Sequence, residues 1–437
     1  MMKRFIVIML LFISICPVCF AVQDFKKIDL NEAINIATKN NIDLEISKMG
    51  IDIAKNNIKI ANRLQNPNFD TFYNFGKAGK GNPQQLGISE TFEVAKRSVR
   101  KKLAKSNLEL TKDNVKYVEF NLKMDVRKAY TELMAAKSVL NCLEEQQKLL
   151  EELLHVAEKR VEYGAAPEME AIQAKIALNQ LITQVNTARV NVKTEIFEFN
   201  KLLNPKDDVK VTFDSKDEIF NSFGEYLDIK TPDLKIELPS FDDIAEKTLD
   251  RRFDIIIAKQ ELDVAQKNLI VIARQRIPDI AIQGGYGYQN KSQSEVGSFL
   301  HGGYVGASIV NLPLFYNYTP EIKNAKMEIE QSRLKLTATY NKARNDLKSA
   351  YEKFVNTQLN LNYYNDKLLK DSDELMQISK RSYEVGKSNL TSLIVMEQSY
   401  KSIVVGYTYA LADYYSCWID FLREINVEEF KVNEESI

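Results

Sequence analysis

Two stretches of this chain, residues 95–163 and 321–385, contain neither glycine nor proline. The first has 69 residues, and as one helix it would be about 100 Å long. No globular core is that thick, so such a helix needs partners along its whole length. The heptads supply them. Val126, Leu133, Leu140, Gln147, Leu154 and Val161 fall seven apart, and Ala129, Ala136, Leu143, Leu150 and Ala157 follow three residues behind. The second stretch repeats the pattern with Leu347, Phe354, Leu361, Leu368 and Leu375, beside Ala350, Thr357, Tyr364 and Ile378. An a/d seam of this length, rich in small residues, predicts a coiled coil.

The chain is also duplicated. The segment from Leu30 superposes without a gap on that from Phe241. Asp43, Asp52, Ala54, Asn57, Arg63 and Pro67 recur as Asp254, Asp263, Ala265, Asn268, Arg274 and Pro278. Further on, Ala129-Tyr130 recurs as Ala350-Tyr351 and Lys159-Arg160 as Lys380-Arg381. A repeat of half the chain is a duplicated domain and not a solenoid unit. Of the sixteen glycines, eleven lie in the windows 67–92 and 278–315, so each half reads helix, strand, loop, strand, long helix, turn, helix. The expected organisation is a first repeat over 22–203, with strands at 67–75 and 86–94, a long helix at 95–163 and a turn at 164–167. A linker at 204–240 follows. The second repeat, 241–424, has strands at 279–290 and 304–312, a long helix at 319–385 and a turn at 386–388, before an acidic tail at 425–437. The shorter helices, 29–65 with 168–203 and 241–276 with 389–424, each sum to the length of a long one. Stacked end to end beside it they build a uniform rod.

The strands alternate. In "PDIAIQGGYGYQN" one parity reads Asp279, Ala281, Gln283, Gly285, Gly287, Gln289 and the other Ile280, Ile282, Gly284, Tyr286, Tyr288, Asn290. Phe69, Thr71, Tyr73 and Phe75 oppose Asn68, Asp70 and Asn74. Leu86, Ile88 and Phe92 oppose Gly87, Ser89, Thr91 and Glu93, while Val305, Ala307 and Ile309 face outward in the fourth strand. Glu90 breaks the apolar parity and belongs near a membrane boundary. Segments of 9–10 residues with one greasy and one polar face suit a tilted strand of a membrane barrel. Four strands cannot close around a pore, and open edges are forbidden in lipid. Closure therefore requires several copies. Two would give a barrel filled by its own side chains, and three a twelve-stranded barrel with an open lumen.

The N-terminus reads Lys3-Arg4, an apolar run from Phe5 to Ile15, then Cys19-Phe20-Ala21. This is the layout of a secretory signal peptide over 1–21. Ile15 and Val18 precede Cys16 and Cys19 where lipid attachment favours small residues, so no lipid anchor is expected. Cys142 and Cys417 read as small buried hydrophobes. The net charge is −1, which gives no basic field for nucleic acid. His155 and His301 are the only histidines. Neither belongs to a catalytic, cofactor or metal-binding motif, so no enzyme, cofactor or metal site is expected.

Over essentially its whole mature length the sequence resembles the TolC family of outer-membrane efflux proteins. The marks are the duplicated layout, "LGISETFEVAKRSVRKKLAKSN" after the second strand, "VNLPLFYN" after the fourth, and the turns "KRVEYGAAPEMEAIQAK" and "KRSYEVGKSNLTSLIVMEQS". The resemblance implies a mainly α fold with a transmembrane β-barrel: a homotrimer with a twelve-stranded barrel in the outer membrane of a Gram-negative bacterium, held in its lipid, and a twelve-helix periplasmic tunnel. It implies docking to a periplasmic adaptor and an inner-membrane pump of the RND or ABC type. The cargo would be drugs, toxic small molecules or metal ions, and the stretch 92–100 is most similar to members that export heavy metals.

Gly164 and Gly386 match the family's turn glycines, which with Ala165 and Lys387 would form the docking tip. Glu168, Glu170, Arg381 and Tyr383 would line the periplasmic aperture. The second hairpin departs from the family, with Ser388 in place of a basic residue and Ser392 and Val395 in place of acids, so the usual closing salt bridges cannot all form. Two alternatives remain open. One is a type I secretion channel for polypeptides. The other is a soluble periplasmic coiled-coil adaptor, which would leave four mirrored strands unexplained.

Overall fold

The computed structural model describes residues 29–73, 84–204, 238–289 and 300–428. The expected signal segment with Cys16 and Cys19, the interior of the 204–240 linker, both strand-to-strand loops and most of the acidic tail lie outside them. The described elements are α1 (Leu30–Asn40), α2 (Ile42–Ala61), β1 (Asn68–Tyr73), β2 (Gln84–Phe92), α3 (Arg97–Glu162) and α4 (Glu168–Leu203) in the first half. The second half has α5 (Phe241–Thr248) with a short 3₁₀ turn, α6 (Phe253–Arg274), β3 (Asp279–Gln289), β4 (Leu300–Val310), α7 (Thr319–Tyr363), α8 (Leu369–Glu384) and α9 (Leu390–Glu424).

The four strands form one antiparallel sheet in the order β1-β2-β3-β4. Its register aligns the apolar parity into rows: Phe69–Ile88–Gly284–Val305, Thr71–Leu86–Tyr286–Gly303 and Phe92–Ile280–Ile309. Nearly all of their large side chains are exposed. The opposite face carries Asn68–Ser89–Gln283–Gly306. Tyr304 departs from that face's polar rule. Its ring lies over Gly87 and Gly285, where any Cβ would meet its hydroxyl at 2.4 and 2.7 Å. Glu90 pairs with Ile282 in the apolar parity, two residues from the end of the sheet that joins the helices.

Beside the sheet the helices pack in the order α2, α3, α6, α7, and farther away in the order α4, α3, α9 and α7–α8. Only α3 runs unbroken through both tiers; at 66 residues it is about 100 Å long. Where the tiers meet, short helices abut end to end. The Asn41 side-chain amide donates to the Leu202 carbonyl, and Arg252 donates to the Glu424 carbonyl. The largest buried side chains concentrate near this joint, with Phe354 stacked on Phe421 and tilted against Trp418 and Tyr414.

Three expectations are corrected. The helix over 29–65 is broken at Asn41, whose extended backbone and side chain cap α2 through the Leu44 amide. The helix over 241–276 is broken at the repeat-equivalent Arg252, which forks onto Asp254 and also reaches Glu424. The long helix over 319–385 contains a π-helical turn at Tyr364–Leu368. That turn inserts one residue into the helical phase. Leu347, Phe354 and Leu361 before it are fully buried, whereas Leu375 and Ile378 beyond it are exposed. The seam continues one residue on, through Ser372, Met376, Ser379 and Tyr383, which are buried or half-buried.

Candidate functional site at the helical tip

The end of the bundle remote from the sheet consists of two helix–turn–helix hairpins. In the first, α3 ends at Glu162 and Gly164 turns at φ +69°. The Gly164 and Ala165 amides donate to the Val161 and Arg160 carbonyls at 3.0 and 2.8 Å. In the second, Gly386 turns at φ +72°, and the Lys387 and Ser388 amides both donate to the Ser382 carbonyl. A Cβ at either glycine would meet nothing within 4 Å. The demand is therefore conformational: only the left-handed backbone requires glycine there. Asn389 then caps α9, its side chain accepting from the Ser392 amide at 2.9 Å.

Ala165, Glu168, Arg381 and Lys387 are exposed, Glu170 is half-buried, and Tyr383 is buried. Among the described residues, neither Arg381 nor Lys387 forms an ion pair with Glu168 or Glu170 within the chain. The structure does bring Tyr383 to Arg160, whose guanidinium lies 5.1 Å from the ring centroid. One Glu170 oxygen, the Tyr383 hydroxyl and the Ser388 hydroxyl are all buried without a hydrogen-bond partner among the described residues.

Sequence reasoning missed the residues that tie the hairpins together. Thr391 donates to Gln173 at 2.7 Å, and farther up Lys401 donates to Gln184 at 2.9 Å. Arg160 carried a usable signal, since it is the repeat mate of Arg381. Glu397 was missed as well. It continues the buried stripe of Leu390, Leu393 and Ile394, is 3% exposed, and has both carboxyl oxygens unpartnered. Burial pushes its pKa up to about 7, and Lys401 one turn away offsets this in part. Among the described residues no cluster of three or more His, Cys, Asp or Glu could hold a metal, and no helix is long and apolar enough to cross a membrane.

The chain thus sets a sheet with one apolar face on long helical hairpins that end in paired glycine turns. Comparisons with known proteins find a similar fold in outer membrane channels. The outer membrane efflux protein family model matches residues 244–402. The fold is similar to that of the Campylobacter jejuni CmeC outer membrane channel, at 17% identity and TM-score 0.71, over 92% of this chain and 86% of that one. It is similar to the Vibrio cholerae outer membrane protein VceC, at 14% and 0.70, over 92% and 97%. The open state of the Neisseria gonorrhoeae MtrE outer membrane channel follows at 16% and 0.70, over 91% and 89%. A comparison with curated proteins gives no match. The family model thus matches part of the second half of the chain, and the fold over about nine-tenths of it is similar to those of outer membrane channels.

Proposed function

We propose that three copies of this chain form a passive outer-membrane exit duct, with no catalytic centre, that receives cargo from a periplasmic adaptor and an inner-membrane pump. The observation that carries this reading is the pair of unsatisfied flanks. The sheet ends in two unpaired edges, β1 and β4. Below β1, α2 and α4 expose Ile46, Ile53, Ile172 and Phe197, and below β4, α7 and α8 expose Met327, Leu334 and Leu375. The two flanks differ, so a head-to-tail ring satisfies both at once. In such a ring β4 of one copy pairs with β1 of the next, and twelve strands enclose an aqueous lumen.

In this reading the polar face of Asn68, Ser89 and Gln283 lines the lumen, and a cleaved signal segment delivers the chain to the periplasm. Gly164, Ala165, Gly386 and Lys387 form the docking tip. Glu168, Glu170, Arg381 and Tyr383 narrow the aperture, with charged pairs forming between copies. The pump selects the cargo, whether small molecules, metal ions or polypeptides.

Electron microscopy of protein extracted from outer membranes in mild detergent tests the assembly. A three-fold particle with a rod about 100 Å long below a micelle-covered end is expected. A soluble monomer or dimer without a micelle would overturn the duct.

A further inference from the structure

The charge of this chain is close to zero overall yet strongly segregated along the rod. The four segments that join sheet to helices, residues 58–67, 93–105, 267–279 and 311–326, hold thirteen Lys and Arg against three Asp and Glu. That is a net of +10 in a chain of net −1. The next four segments away from the sheet, 47–57, 106–116, 256–266 and 327–337, hold seven of each sign. The excess is thus confined to one level, directly below the strand ends.

Its three acids are all engaged internally. Asp279 pairs with Lys96 at 2.8 Å, Glu93 with Arg100 at 2.8 Å, and Glu321 accepts from the Tyr316 hydroxyl at 2.6 Å. Arg97 and Arg276 donate to the backbone carbonyls of Asn62 and Asn317. Arg63, Lys101, Lys102, Arg274 and Lys323 have no partner among the described residues, and all but the half-buried Lys101 are exposed. At the same level Phe315 is fully exposed and Leu314 is 76% exposed, so apolar side chains accompany the charges there.

We infer that this collar binds the anionic headgroups of the phospholipid leaflet bordering the strand ends. The inference rests on the barrel reading, because it needs the sheet's apolar face to sit in lipid. The headgroup layer is about 5–8 Å deep on each side of the hydrocarbon. Residues in the turns that adjoin the strands, before or after them in sequence, reach it, since long Lys and Arg side chains snorkel toward phosphate. Glu93 and Asp279 are neutralised by Arg100 and Lys96, and Glu321 alone cannot offset the remaining cations. Their level therefore attracts anionic lipid, while the balanced level below does not.

The test reconstitutes the full protein in phosphatidylcholine vesicles containing phosphatidylglycerol and measures, with spin-labelled lipids, which headgroup occupies the protein-bound shell. Phosphatidylglycerol is expected to be favoured about fivefold at low salt. High salt should erode that preference, as should the combined variant Lys101→Gln, Lys102→Gln, Arg274→Gln, Lys323→Gln. The same four positions as Arg or Lys with the charge kept should retain it. Equal occupancy by both lipids, or a preference unchanged in the Gln variant, overturns the collar. So does a Gln variant that alters only the ion selectivity of the open channel, since the charges would then face the lumen. Failure of the parent protein to insert at all would strike the barrel reading instead.

Discussion

Arg160 and Tyr383 meet across the tip, the guanidinium carbon 5.1 Å from the ring centroid, and so join the end of one hairpin to the end of the other. The tyrosine hydroxyl is buried without a partner among the described residues, so the ring and not the hydroxyl is what this pair uses. Cation–π pairs of this kind contribute about 0.5–2 kcal/mol. Arg160→Gln is expected to loosen the tip and raise single-channel conductance, and Tyr383→Phe to leave it unchanged. If Tyr383→Phe opened the channel as much as Tyr383→Ala does, the hydroxyl would be the working group and this account would be wrong.

The two turn glycines have open space around the missing Cβ and left-handed backbones. A β-branched residue there is strained by roughly 1–2 kcal/mol, while asparagine visits that region readily. Gly164→Val with Gly386→Val should impair export and adaptor docking, the barrel still inserted, and the corresponding Asn pair should retain most of both. Export assays alongside outer-membrane fractionation give the answer. Loss of insertion in the Val pair would argue against this placement of the turns.

Glu397 makes the bundle's stability depend on pH. Its folded pKa, raised to about 7 by burial, stands above the ordinary 4.5. Between those values the folded state holds the proton more tightly than the unfolded chain does. Stability is therefore full below about pH 4.5, falls as pH rises toward 7, and levels off above. Glu397→Gln should raise stability at pH 8 by up to about 3 kcal/mol and change little in acid. Thermal melts at both ends of that range decide it, and a variant equally stabilised at each would show that the carboxyl does not titrate there.

Much of the architecture was legible in the sequence because glycine, proline and the two hydrophobic periods mark it. The coiled-coil seam through Val126, Leu133 and Leu143 and the apolar rows of the sheet follow from spacing alone. The interruptions at Asn41 and Arg252 were not read, since neither a lone asparagine nor an arginine stops a helix without its partners in space. The π turn carries no glycine or proline, and Leu368, Leu375 and Ile378 sustain the heptad through it, so periodicity pointed the wrong way there. At the tip the turn glycines were legible. Arg160 over Tyr383 and the orphaned Glu397 were not, because both depend on packing between helices distant in sequence.

The π turn gives the sharpest mechanical prediction. Tyr364–Leu368 shifts the seam by one residue, which turns Leu375 and Ile378 out toward the flank and brings Tyr383 in beneath Arg160. Deleting Asn365 would restore regular α-helical phase, rotating everything down to the tip by about 100°. Leu375 and Ile378 would then return to the seam and Tyr383 would leave it, forfeiting about 2 kcal/mol of burial together with its cation. The expected outcome is a protein that still inserts and assembles its barrel but has a disordered second hairpin, seen as new protease cleavage near 380–390 and lost export. A deletion variant that exports normally, with the second hairpin as resistant as in the parent, would mean that the shifted seam has no part in building the tip.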